Sequence, residues 1–76
     1  ATTHHGAFDE LAAVAPACNI VRGQRYVDNG QIITSAGITA GIDAALYVVQ
    51  RLHGPDIARE TATHMEYVWK PVEEPL

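Results

Sequence analysis

The chain has almost no cysteine, little positive charge and no long apolar run, and each shortage removes a class of function. One thiol, Cys18, among 76 residues excludes an internal disulfide, and no Cys/His set has zinc-finger spacing, so no metal is expected. Lys and Arg number five against nine Asp and Glu, a formal charge of −4. The cations at Arg22, Arg25, Arg51, Arg59 and Lys70 form no stripe, so this piece is not expected to bind nucleic acid directly. No apolar run approaches the roughly 18 residues of a membrane span, and no signal peptide is visible. A lone thiol fits a reducing cytoplasm, the compartment expected here. There is no Walker-type loop, and Gly37-Ile38-Thr39-Ala40-Gly41 lacks the third glycine of a dinucleotide fingerprint, so no cofactor is expected.

What is present is greasy for its size. Hydrophobic residues make up 47% of the chain. A domain this short hides only about 60% of the surface its unfolded chain exposes. The predicted helices are apolar over more than one face, as segments from the middle of a larger layered domain are.

Local pattern gives an order of elements. Ala1–Thr3 reads as the end of a strand. Gly6–Val14 has Phe8, Leu11, Ala12 and Ala15 at helical spacing before Pro16 stops it. Asn19–Val21 reads as a brief strand. Asp28-Asn29-Gly30 then separates Arg25–Val27 from Gln31–Ser35, a tight-turn signal between antiparallel strands. The run from Gln31 to Asp43 passes from an apolar strand through Gly37 into a helix, and such junctions hold ligands in open α/β sheets. That helix is expected over Thr39–His53, with Thr39 as its N-cap, Asp43 favoured by the helix dipole, and Ile42, Ala45, Leu46, Val49 and Leu52 facing inward. Gly54 should end it as a left-handed cap, and Pro55 should open a further helix to His64 that turns Ile57, Ala58, Thr61, Ala62 and Met65 inward. Tyr67–Trp69 reads as a last short strand, and residues 70–76 as a tail or the beginning of a linker.

Four stretches taken together, Ala1-Thr2-Thr3-His4, Arg25–Ile33, Thr34–Asp43 with its helix through Gly54, and Ala62–Trp69, resemble the ThiJ/PfpI family. This is a branch of the class I glutamine amidotransferase-like proteins that includes isonitrile hydratases and the parkinsonism-associated deglycase. The resemblance implies an α/β fold: residues 1–69 would be the C-terminal portion of a flavodoxin-like three-layer αβα sandwich. The family's cysteine nucleophile sits on a strand-to-helix elbow before the segment that resembles Ala1–His4, and no such elbow occurs in these residues. The expected partner is therefore the N-terminal portion of the same domain, as a separate chain or a cleaved segment. A homodimer of the completed domain and a small-molecule ligand are implied as well.

His4 follows a predicted strand end and carries the side chain best suited to proton exchange near neutral pH, although a surface-loop histidine is the plain alternative. The resemblance places it beside the nucleophilic cysteine, as the catalytic candidate. It likewise implies that Thr3, Ile38 and Thr39 border the substrate or the dimer contact, while some relatives have Gly-Pro where Ile38-Thr39 stands. Without that resemblance Gly37 and Gly41 simply shape a turn, and Thr39 simply caps a helix. Cys18 lacks an elbow and reads as a half-buried thiol. Glu60 and His64 stand i, i+4 and read as an exposed pair rather than metal ligands.

Two functions from different classes stand. One is a cysteine-dependent hydrolase or lyase acting on a small carbonyl or isonitrile-like electrophile. The other is a non-catalytic ligand-sensing domain of a bacterial transcriptional regulator. Fold alone does not separate them.

Overall fold

A single long helix organises the molecule because it alone touches every other packed element. The computed structural model describes residues 1–71. In chain order the elements are α1 (Phe8–Val14), β1 (Tyr26–Asp28), β2 (Ile33–Ser35), α2 (Ile38–His53) and α3 (Pro55–His64). Helix α2 packs on α3 and on both strands, whereas α1 packs on none of the described elements. The arrangement is a small mixed α/β unit compatible with a fragment of an α/β domain.

The hairpin is present, shifted by its turn chemistry. Strands β1 and β2 pair antiparallel with Tyr26 opposite Ser35, Val27 opposite Thr34 and Asp28 opposite Ile33. Asp28, expected in the turn, belongs to the strand. Its carboxylate accepts the Gly30 N–H at 2.8 Å, and the Asn29 side-chain oxygen accepts the N–H groups of Gln31 at 2.9 Å and Ile32 at 2.7 Å. Short polar side chains thus satisfy the donors that the wider loop leaves open.

Several expected strands are not formed among the described residues. The Ala1 ammonium donates to the Asn19 carbonyl at 2.8 Å, and the Val21 N–H returns to the Ala1 carbonyl at 2.8 Å. Those two bonds hold the Ala1–Thr3 and Asn19–Val21 segments together without making either a strand. Tyr67–Trp69 is not a strand either, because it follows directly from the end of α3. There Glu66 takes φ +55°, its N–H bonds the Thr63 carbonyl at 3.0 Å, and the Tyr67 N–H bonds the Ala62 carbonyl at 2.9 Å. This is a Schellman closure with glutamate where glycine is usual.

The helix ends also differ in detail from expectation. Helix α1 begins at Phe8 rather than Gly6, since the Gly6 N–H is taken by the His4 ring. Helix α2 begins at Ile38 with Gly37 as its N-cap, so Thr39 lies inside the first turn and caps nothing. Gly54 has φ 92° and ψ 163°, extended rather than left-handed helical, and serves at once as the end of α2 and the cap of α3. That corner of backbone space is essentially open to glycine alone. Pro55 opens α3 as expected.

The core is narrow. Tyr26, Ala40, Ala44, Leu46, Ala58 and Ala62 are its buried hydrophobic residues, so alanines carry the α2–α3 contact. Of the expected inward stripe on α2, Leu46 is buried, Ile42 and Val49 are half-buried, and Ala45 and Leu52 are exposed. On α3, Ala58 and Ala62 are inward as expected, but Ile57 and Met65 are exposed. Ile38, Ile42, Ala45, Val49 and Leu52 recur at 4-3-4-3 spacing along α2, a seam that needs a covering surface. Among the described residues nothing covers its two ends, where Ile38 is 90% exposed and Leu52 71%. Lys70 and Pro71 carry no regular structure, and the rest of the 70–76 tail lies outside the described residues.

The Glu66 turn gives a direct test. A side chain at positive φ costs roughly 1 kcal/mol relative to glycine, so Glu66→Gly should stabilise the fold by about 1 kcal/mol against urea. An unchanged or lowered midpoint would show that the Glu66 backbone is not strained there.

Candidate functional site

His4 comes against the start of α2, where Ile38 and Thr39 also stand. Gly37 caps the helix, and the His4 ring lies against it so closely that a Cβ at position 37 would stand 3.1 Å from His4 Cδ2 and 3.7 Å from Nε2. A side chain there would make the ring give by a few tenths of an ångström, and glycine spares it that shift. His4 Nδ1 accepts the Gly6 N–H at 3.0 Å, and the His5 ring lies tilted at 4.2 Å between centroids. An Nδ1 that accepts a hydrogen bond places the neutral ring's proton on Nε2. His4 therefore offers an N–H donor along the edge that faces the helix start, and the ring itself is exposed.

The other expected residues are placed unevenly. Ile38 is next to Gly37 and strongly exposed. Thr39 is exposed too, but its hydroxyl accepts a hydrogen bond from Arg25 Nη2 at 3.0 Å. Thr3 is half-buried between His4 and Thr2, and the buried Thr2 is tied to the hairpin through its N–H on Thr34 Oγ1 at 2.9 Å. Cys18 is a half-buried free thiol, as expected from its context. Glu60 and His64 are both exposed, and no set of three or more metal-ligating side chains occurs among the described residues.

Sequence reasoning missed the polar network beside this site. Asp43, expected to be steadied by the helix dipole, lies in the second turn, beyond reach of that effect, and is buried. Its carboxylate is met by Arg25 Nε and by the Tyr67 hydroxyl, which donates at 2.7 Å. A second cluster inverts the arrangement. Asp28 on the hairpin accepts from the Tyr47 hydroxyl at 2.6 Å and from Arg51 Nη1 at 2.5 Å, both on α2. The signal that could have found Asp43 is its position between Ala40 and Ala44 on the inward face, where a carboxylate needs a cation and a donor.

The electrostatics follow from these bonds. The hydroxyl of Tyr47 and the Gly30 N–H hold Asp28 below the ordinary carboxylate range, with Arg51 adding to them against desolvation. Tyr47 is pushed up by its bond to Asp28, and Tyr67 by its bond to Asp43, with desolvation second in both. Arg25 is raised further above its already high value, first by the hydrogen bond to Asp43.

No family model matches the chain. The chain is 39% identical over 69 residues to the isonitrile hydratase of Pseudomonas putida. The matched stretch covers 91% of this chain and 29% of that protein, so the chain spans under a third of the relative's length. This similarity supports a ThiJ/PfpI-like relationship. No helix among the described residues is long and apolar enough to cross a membrane.

Two predictions follow from the carboxylates. Asp28 has a lowered folded-state pKa, so its contribution is present above the unfolded value of about 4 and is lost as pH falls through the lower folded value. Asp28→Asn should thus be less stable than the natural chain at pH 7, with the gap closing below about pH 4; urea titrations across that range that keep a constant gap would refute it. Tyr47 and Tyr67 run the other way: their raised values add stability that is present below about pH 10 and fades above it. Asp43→Ala orphans two donors at once and should cost about 1–3 kcal/mol, which equilibrium unfolding at neutral pH would measure.

Proposed function

We propose that residues 1–69 form the C-terminal portion of a flavodoxin-like αβα sandwich in which a cysteine thiolate from polypeptide outside these 76 residues attacks an isonitrile-like or small carbonyl electrophile. Residues 70–76 then lead out of the domain. The observation that carries this reading is the 39% identity to an isonitrile hydratase across almost the entire chain. The open seam of α2, and a helix α1 with no buried residue, support a surface completed by more polypeptide. A homodimer of the completed domain, in the cytoplasm, belongs to the same proposal.

In this reading His4 supplies the proton chemistry. The thiolate adds to the terminal isonitrile carbon while that carbon takes up a proton, giving a thioimidate. Water then adds to the thioimidate carbon, the nitrogen is protonated, and the tetrahedral adduct expels the thiolate and leaves an N-substituted formamide. The net change is addition of one water. With its proton on Nε2, His4 enters the cycle as a donor, able to hydrogen-bond the thiolate or the charge that develops on the substrate. Ile38 would form an apolar wall for the substrate's substituent, and Thr3 and Thr39 would border the same space.

The test is turnover of an alkyl isonitrile to its formamide by the protein purified together with any polypeptide that accompanies it, with intact-mass analysis of the same sample. Formamide production and a companion segment bearing a cysteine on a strand-to-helix elbow are expected. His4→Ala should lower kcat/KM by about 100-fold with an unchanged melting temperature. A lone 8.2 kDa species that melts cooperatively by itself would overturn the completed-domain reading. Saturable binding of small molecules with no turnover would turn the assignment to a ligand-sensing domain.

A further inference from the structure

Arg25 is fixed in place by one edge only, through Asp43 and Thr39. A guanidinium carries five N–H donors in two usable edges: Nε with one Nη2 hydrogen, and the end-on pair formed by Nη1 and the remaining Nη2 hydrogen. The first edge is spent on Asp43 and on Thr39 Oγ1. Apart from the Tyr67 hydroxyl, which shares Asp43 with Arg25 and also interacts with its guanidinium, the end-on pair meets no partner among the described residues, and the Arg25 side chain remains 53% exposed. Arg25 lines a cleft of about 260 Å³ together with Asp43, Tyr67, Val68 and Lys70. Lys70 makes no ion pair among the described residues, whereas the other arginines with carboxylate partners, Arg51 and Arg59, meet Asp28 and Asp56.

We propose that this cleft is a binding site for a small monocarboxylate, held by the end-on edge of Arg25 and the Lys70 ammonium, with the substituent against Val68. Three observations select that class. Among the described residues the cleft's charged walls are two cations, Arg25 and Lys70, and one anion, Asp43, an excess that one carboxylate neutralises. Asp43 already uses Tyr67 and Arg25, so its negative charge stays at the floor and disfavours a doubly charged phosphoryl group. Planar end-on donors match a carboxylate in two parallel hydrogen bonds, and a guanidinium anchored on its other edge gives up little freedom in forming them. Val68, 83% exposed, supplies the apolar wall that a short alkyl chain would cover. The site needs no cysteine and involves none of His4, Thr3 or Ile38; it shares only Thr39, which anchors Arg25 here, with the proposed activity.

Propionate is the probe, titrated into the protein, purified with any accompanying polypeptide and labelled with nitrogen-15 in its arginines, with the Arg25 Nε–H resonance as readout. Saturable shifts in the millimolar range are expected. Arg25→Lys keeps the charge but loses the paired donors, and should weaken binding at least tenfold. Lys70→Gln has no described partner to disturb and should weaken it about threefold, so it carries the test if the Arg25 variant does not fold. Arg59→Gln, on the outer face of α3, should leave it unchanged. Non-saturating shifts, or equal losses in the Arg59 and Lys70 variants, would reduce the effect to general screening and overturn the site. Inorganic phosphate binding more tightly than propionate would overturn the assignment to carboxylates.

Discussion

The carboxylate of Asp43 is the constraint on which the structure turns, because it is an acidic group set on the buried face of the long helix. Its neighbours on the inward face of α2 are Ala40, Ala44 and Leu46, all buried. An unpaired acid there would be expensive, so the chain must bring a cation and a donor to it. Arg25 comes from the residue before β1, and Tyr67 from the turn that closes α3. One side chain thereby fixes the hairpin, the long helix and the segment after α3 relative to one another. Asp28 does the reciprocal job at the other end, reaching from the hairpin to Tyr47 and Arg51 on α2.

This division of labour explains why the apolar core can be so slight. Among the described residues six hydrophobic ones are buried, four of them alanines, and no large side chain is fully enclosed. Polar pins set the geometry of these elements while their greasy faces remain partly open. In a finished single domain the opposite balance is usual, with packing supplying most of the stabilisation and polar networks adding specificity. The two clusters hold the pieces in register, and the 4-3-4-3 seam of α2 is the most regular apolar feature they leave open.

How much of this could be read from the letters depends on whether the cause was local. The hairpin was legible because Asp28, Asn29 and Gly30 bond to their own backbone, and Gly54-Pro55 marked the break between α2 and α3 because both residues act through their own dihedral limits. The meeting of His4 with Gly37 was not legible, because the letters show a histidine after one segment and a glycine at the mouth of a helix 33 residues on, with nothing local to bring them together. For Asp43 the neighbours Ala40 and Ala44 signal that a carboxylate there needs partners, but not which, since Arg25 and Tyr67 lie 18 and 24 residues away. Tyr67–Trp69 misled because alternating aromatics suggest a strand, whereas the Schellman closure through Glu66 consumed the Tyr67 N–H and its ring went to Asp43. The stripe on α2 was recognised as apolar, but whether it faces inward depends on what lies opposite, which helical periodicity does not encode.

The closeness of Gly37 to the His4 imidazole has an evolutionary corollary. A methyl group at position 37 would stand 3.1 Å from Cδ2, close enough that the ring must give by a few tenths of an ångström. A lineage that exchanges the histidine for something smaller releases the glycine to drift, whereas one that fills position 37 first nudges an exposed imidazole. The two positions are thus coupled in either order, and a descendant with alanine at 37 beside an intact histidine would carry that ring slightly displaced.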